Sequence, residues 1–159
     1  MNFADKSRSV ATPFRLDREQ YIELPHGKVF EFFADPENLE AITPPWMQFR
    51  IVGCSTPEIE EGTVLDYALK VRGMPTKWRS LIREWNPPHS FIDEQLVGPY
   101  RRWIHLHTFE AQGSGTLIGD HVDYAVPGGK LIEKLLVQPE LRRIFDYRQH
   151  SLPKLLQLD

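Results

Sequence analysis

Residues 101–136 read RRWIHLHTFEAQGSGTLIGDHVDYAVPGGKLIEKLL, and within this stretch the period of the chain changes. Residues 101–111 and 116–126 alternate in character as half-buried strands do, and Gly113, Ser114 and Gly115 between them suit a hairpin. After Gly128 and Gly129, Leu131, Ile132, Leu135, Leu136, Leu141, Ile144, Phe145, Leu152, Leu155 and Leu156 recur at the spacing of one helical face. Two antiparallel strands therefore lead into a long terminal helix. Pro139 and Pro153 predict a break or kink near each, with Pro139 suited to start a new turn.

Upstream, strand-like segments at 48–54, 63–72, 77–85 and 91–97 are bounded by Gly or Pro. The separators Glu61-Gly62, Gly73-Met74-Pro75, Asn86-Pro87-Pro88 and Gly98-Pro99 are short enough to join antiparallel neighbours. Residues 14–24 predict a first strand whose phase changes between Leu16 and Tyr21. Residues 28–33 and the run opened by Asp35 as N-cap with Pro36 behind it predict two short helices. The expected class is α+β: a curved antiparallel sheet of about seven strands around a long C-terminal helix. A single row of helical side chains cannot fill such a sheet, so a cavity between the two follows.

The 159 residues fit one domain over 1–159, with residues 1–12 expected to be flexible. At 41% hydrophobic and 26% charged, the composition is that of a globular protein. A net charge of −3 with scattered Lys and Arg provides no basic stripe, so nucleic acid is not an expected partner. Cys54, the single cysteine, excludes an intramolecular disulfide, and no run has the length of a signal peptide or a membrane span. The expected location is the cytoplasm, and oligomeric state is not read from one chain. There is no nucleophile elbow, no phosphate-binding glycine loop after a strand and no His-Glu-x-x-His, so no cofactor is expected.

Trp78, Ser80 and Ile82, then FIDEQ at 91–95, GPY at 98–100 and WIHLHTF at 103–109, resemble the START/Bet v 1-like helix-grip superfamily (SRPBCC). Within it the chain is similar to bacterial polyketide cyclase/dehydrase-like ligand-binding proteins. The resemblance covers most of the chain and implies binding of lipids, sterols, polyketides or other apolar molecules. Some members of the superfamily are enzymes, and the motifs mark the subgroup rather than a reaction.

Strand parity selects the candidate lining. Trp103, His105, His107 and Phe109 share one face, while the rival face of the same strand carries Ile104 and Leu106. Parity groups Asp93 and Gln95, then Asp120 and Tyr124, then Tyr67 and Leu69, and turns Trp78 and Ile82 inward. Together these make an apolar pocket with a polar centre. His105 and His107 admit three readings. They are interior residues paired by Asp93, Gln95 or Asp120, or they orient a ligand, or, about 6.5–7 Å apart at their backbones, they share a metal ion. No third metal ligand is fixed by the sequence, so no metal is assigned.

His105, His107 and Asp120 are the catalytic candidates should the protein be an enzyme, through general acid–base chemistry. The first functional expectation is binding or transport of a small hydrophobic or amphipathic molecule. A cofactor-independent cyclase, dehydratase or isomerase is the second, and a protein-interaction module the third.

Overall fold

The structure, a computed structural model, describes residues 13–157. The expected flexible segment over residues 1–12 lies outside them. The elements run β1 (Phe14–Ile22), α1 (His26–Ala34), α2 (Pro36–Ala41), a 3-10 turn (Pro45–Met47), β2 (Arg50–Cys54), β3 (Val64–Val71), β4 (Met74–Asn86), β5 (Ser90–Val97), β6 (Arg102–Gln112) and β7 (Gly115–Ala125). The terminal helix follows as α3 (Gly129–Ile132), a π-helical segment (Glu133–Val137) and α4 (Gln138–Leu156). All seven strands join one antiparallel sheet in the order β1-β7-β6-β5-β4-β3-β2, so this is the helix-grip arrangement expected from the sequence.

Local chemistry sets these elements. Asp35 caps α2, its Oδ1 accepting from Glu37 N at 3.0 Å, and Pro36 fills the first position, where a missing N–H is harmless. The β3–β4 hairpin turns on Arg72 and Gly73, with φ of 54° and 78°, rather than on Gly73-Met74-Pro75. Positive φ at both central residues matches the twist of the flanking strands, and Met74 and Pro75 join the ladder opposite Val71 and Lys70.

One expectation about strand phase is corrected, and a second strand carries an irregularity. β1 pairs with β7 without interruption from Phe14 to Ile22, so there is no phase change. Tyr21 faces outward, and the inner-face polar residues Arg18 and Gln20 meet the terminal helix. Arg18 Nη1 lies 2.6 Å from Asp146 Oδ1, and Gln20 Nε2 donates to the Gln149 carbonyl at 2.7 Å. β4 carries register shifts at Arg79/Ser80 and Ile82/Glu84. The second leaves Arg83 unpaired and turns Trp85, rather than Glu84, toward the core, where it packs at a tilt against Phe30 and Phe91.

The terminal helix answers its two prolines differently. Before Pro139 the backbone widens into the π-helical segment, with Gln138 N–H bonding Glu133 O. This shifts the phase, so Leu131 and Leu135, expected on the inner face, are 67% and 60% exposed. Glu133 turns in instead and accepts from the Tyr124 hydroxyl at 2.6 Å. At Pro153 the helix continues to Leu156, and the carbonyl left without an N–H partner, that of Gln149, is the one Gln20 satisfies. No helix among the described residues is long and apolar enough to cross a membrane.

The core falls into three clusters. Phe30, Phe91, Phe109, Leu152 and Leu156 close the end under α1. Trp103, Val122, Tyr124, Leu141 and Phe145 pack β6 and β7 on α4, and Met47, Leu65, Tyr67, Leu69 and Ile82 line β3 and β4. The space where they meet holds the site.

Candidate functional site

Three adjacent strands place four polar side chains on one inner face. Asp93 on β5 stands opposite His105 on β6, and His107 stands opposite Asp120 on β7. The hydrogen bonds run across these pairs: His105 Nε2 lies 2.8 Å from Asp120 Oδ1, and His107 Nε2 lies 2.6 Å from Asp93 Oδ2. A carboxylate only accepts, so each Nε2 carries the proton. The two imidazoles stack with centroids 3.6 Å apart, and Phe91 stacks on the far side of His107 at 4.1 Å.

A fifth group comes from α4. Its inward residues are Leu141, Phe145, Arg148, Leu152 and Leu156, so Arg148 occupies a place in an otherwise apolar stripe and is 8% exposed. Its Nη2 reaches Asp120 Oδ1 at 3.4 Å and His107 Nδ1 at 3.5 Å, with the guanidinium over the ring of Phe33. Arg148 Nε is buried and has no hydrogen-bond partner.

Burial and mutual charge set the protonation states. For His107, burial disfavours the cation and a charge on His105 would add to that, outweighing Asp93, so its pKa drops to about 4 and the ring is neutral at pH 7. A neutral ring with its proton on Nε2 offers Nδ1 as an acceptor for Arg148. Burial raises the Asp120 carboxyl, but Arg148 and the His105 hydrogen bond overcome this and hold it below the ordinary carboxylate range. Asp93, likewise desolvated, is lowered by His107 and the charges around it. Burial pushes the phenols of Tyr67 and Tyr100 above their ordinary value, so both remain neutral donors.

Of the two spaces between the sheet and the helices, the larger measures about 170 Å³ and lies between β3–β6 and α4. Tyr67, Leu69, Trp78, Asp93, Trp103, His105 and His107 all border it, joined by Met47, Tyr100, Glu140 and Ile144, which parity did not single out. Ile82 borders a smaller compartment of about 50 Å³ beneath α1 and α2. Tyr67, Asp93, His107 and Arg148 line both compartments, which puts the polar centre at their junction.

Four candidate residues stand away from the lining. Asp120 sits behind the imidazoles, against His105 and Arg148. Phe109 packs into the aromatic cluster of Phe30 and Phe33, and Tyr124 is engaged with Glu133. Gln95 clamps the β5–β6 turn, its Nε2 donating to Tyr100 O at 2.8 Å and its Oε1 accepting from Tyr100 N at 3.2 Å. A Cβ on Gly98 would collide with that amide and push it from the clamp. Arg148 carried a signal that parity on the strands does not see: a charged residue in phase with an apolar helical stripe.

An antiparallel sheet closed around a terminal helix, with a cavity and a polar centre between them, defines a START/Bet v 1-like (SRPBCC) protein. The chain belongs to the family described as polyketide cyclase / dehydrase and lipid transport, which it matches over residues 22–149. Protein CV1439 from Chromobacterium violaceum is similar in fold, with a TM-score of 0.73 at 13% identity over 92% of this chain and 100% of that one. The Zhui aromatase/cyclase from Streptomyces sp. R1128 gives 0.72 at 14% identity over 91% and 94%. Ara h 8.0201 gives 0.67 at 14% over 92% and 99%. No curated protein matches the chain.

Proposed function

We propose that this protein, acting as a single domain, binds a small, mostly apolar molecule bearing an oxygen acceptor. The observation that carries this is Arg148, a buried cation that lines the cavity and whose Nε has no hydrogen-bond partner. A buried N–H left unmade costs about 1–3 kcal/mol, so a carbonyl or carboxylate oxygen of a ligand gains most at that point. Tyr67, Trp78 and Trp103 offer the apolar walls, in line with a family description that includes lipid transport.

The second reading, a cofactor-independent cyclase, dehydratase or isomerase, is supported by the two His–Asp pairs at the cavity. It is the weaker one because a base works best with a pKa near the operating pH, and His107 is held at about 4. Turnover lost in His107→Gln with ligand affinity retained would favour the enzyme.

Matched one-ring compounds test the first reading in the unaltered protein. Acetophenone is expected to bind about 10–100-fold more tightly than ethylbenzene by calorimetry, the worth of a hydrogen bond to a charged donor. Equal affinities, or no binding of either, would refute it.

A further inference from the structure

The stacked imidazoles have a second face. We infer that Asp93, His105 and His107 form a binding site for a divalent first-row transition ion of the zinc type, with one coordination position turned toward the cavity. The three residues offer ligand atoms that all lie within 4.8 Å of one another. Asp93 Oδ2 is 2.6 Å from His107 Nε2 and 3.8 Å from His105 Nδ1. In a tetrahedral zinc site with bonds of about 2.0–2.1 Å, ligand atoms lie roughly 3.3 Å apart. Opening the first distance and closing the second by well under 1 Å brings both to that spacing, and the two ring nitrogens, at most 4.8 Å apart, must draw together as well.

Asp120 prepares the ligands from behind. Because it accepts a hydrogen bond from the Nε2–H of His105, the lone pair of that ring sits on Nδ1, on the side of Asp93. Asp120 Oδ1 also lies 3.5 Å from His107 Nδ1. When an ion replaces the proton on His107 Nε2, that proton moves to Nδ1 and turns to Asp120, which gives up the Arg148 contact at that nitrogen; the ring stays neutral and no proton need be lost. A carboxylate that fixes the tautomer of a histidine ligand is the usual outer partner in such centres.

The charges agree with this placement. Two carboxylates face a single guanidinium, leaving one net negative charge when both rings are neutral. Arg148 stands on the Asp120 side; among the described residues, only the two imidazoles lie within 4 Å of Asp93 as basic partners. Asp93 is also the least buried of the four strand residues, at 19% exposed, and borders both compartments, which is where an open position would meet a ligand oxygen. Imidazole with carboxylate and no thiolate suits Zn²⁺ and its neighbours.

The inference rests on these side chains alone and is tested without an organic ligand. The full chain, stripped with chelator, is titrated with Zn²⁺ by calorimetry and with Co²⁺ by visible absorption. One ion per chain is expected, with the intense cobalt bands of a four- or five-coordinate site. Asp120→Asn is expected to weaken zinc by about 10–100-fold, and Asp93→Asn by more. Substituting the surface pair His26 and His89, stacked at 5.6 Å, is expected to change nothing.

Nitrogen-15 histidine spectra of the unaltered chain give a readout independent of how any variant folds. Zinc is expected to shift His105 Nδ1 and His107 Nε2 into the metal-bound range. Absence of stoichiometric binding, affinity unmoved by Asp93→Asn, or shifts confined to His26 and His89 would overturn the inference.

Discussion

His107 is held between a carboxylate, a guanidinium and two aromatic faces, and its buried neutrality has a consequence for stability. In the unfolded chain a histidine takes up a proton near pH 6.5, whereas the folded protein resists until about pH 4. Between those values the unfolded state binds more protons, so stability falls as pH falls. From pH 7 to pH 5 the expected loss is about 2 kcal/mol, or roughly 4–8 °C in Tm for a chain of this size. Thermal melts in the presence of chelator would show it, and His107→Gln is expected to flatten the slope. A slope unchanged in that variant would place the acid sensitivity elsewhere. His105, His107, Asp93 and Asp120 were legible in the sequence because strand parity is a strict period of two. Arg148 was not, because its partners come from β6 and β7, about 30 to 40 positions away in the chain.

At the scale of elements, the positions and number of strands followed from Gly, Pro and alternation, whereas the irregularities did not. The bulge at Arg83 and the π-helical segment before Pro139 each add one residue to a regular repeat, and each reverses which neighbour faces the core. The local pattern fixes neither, since the regular repeat reads on through both insertions. The contact between β1 and α4 shows how such a fault is absorbed. Pro153 leaves the Gln149 carbonyl without its helical donor, and Gln20 supplies one at 2.7 Å. In Pro153→Ala the helix would again satisfy that carbonyl, so the Gln20 bond would become redundant. A double-mutant cycle between Gln20→Ala and Pro153→Ala, read by urea unfolding, is expected to show coupling of about 0.5–1.5 kcal/mol. Additive effects would mean that the Gln20 amide does not answer the proline.

For the molecule as a whole, the order β1-β7-β6-β5-β4-β3-β2 puts the two chain-early strands at opposite edges, so the sheet curls with the terminal helix in its concavity. Because α4 brings Leu141, Phe145 and Leu152 down onto the sheet, it fills much of that concavity. The space left, about 170 Å³ with a second compartment of about 50 Å³, decides which ligands fit without rearrangement. An engineered protein cavity of about 150 Å³ takes benzene, so the larger space holds one ring with a short substituent. A fused four-ring compound would need the helix to leave the sheet, breaking the packing of Trp103 and Tyr124 against Leu141 and Phe145. A one-ring ketone or acid at a hundred times its Kd is therefore expected to stabilise the fold by about 2.7 kcal/mol, raising Tm by roughly 5–10 °C. The four-ring compound at equal concentration is expected to raise it far less, because any opening cost subtracts directly from its affinity. Equal shifts would mean that α4 lifts at little cost, and the exposed Leu131 before the π-helical segment and Leu135 within it would then mark where the helix swings.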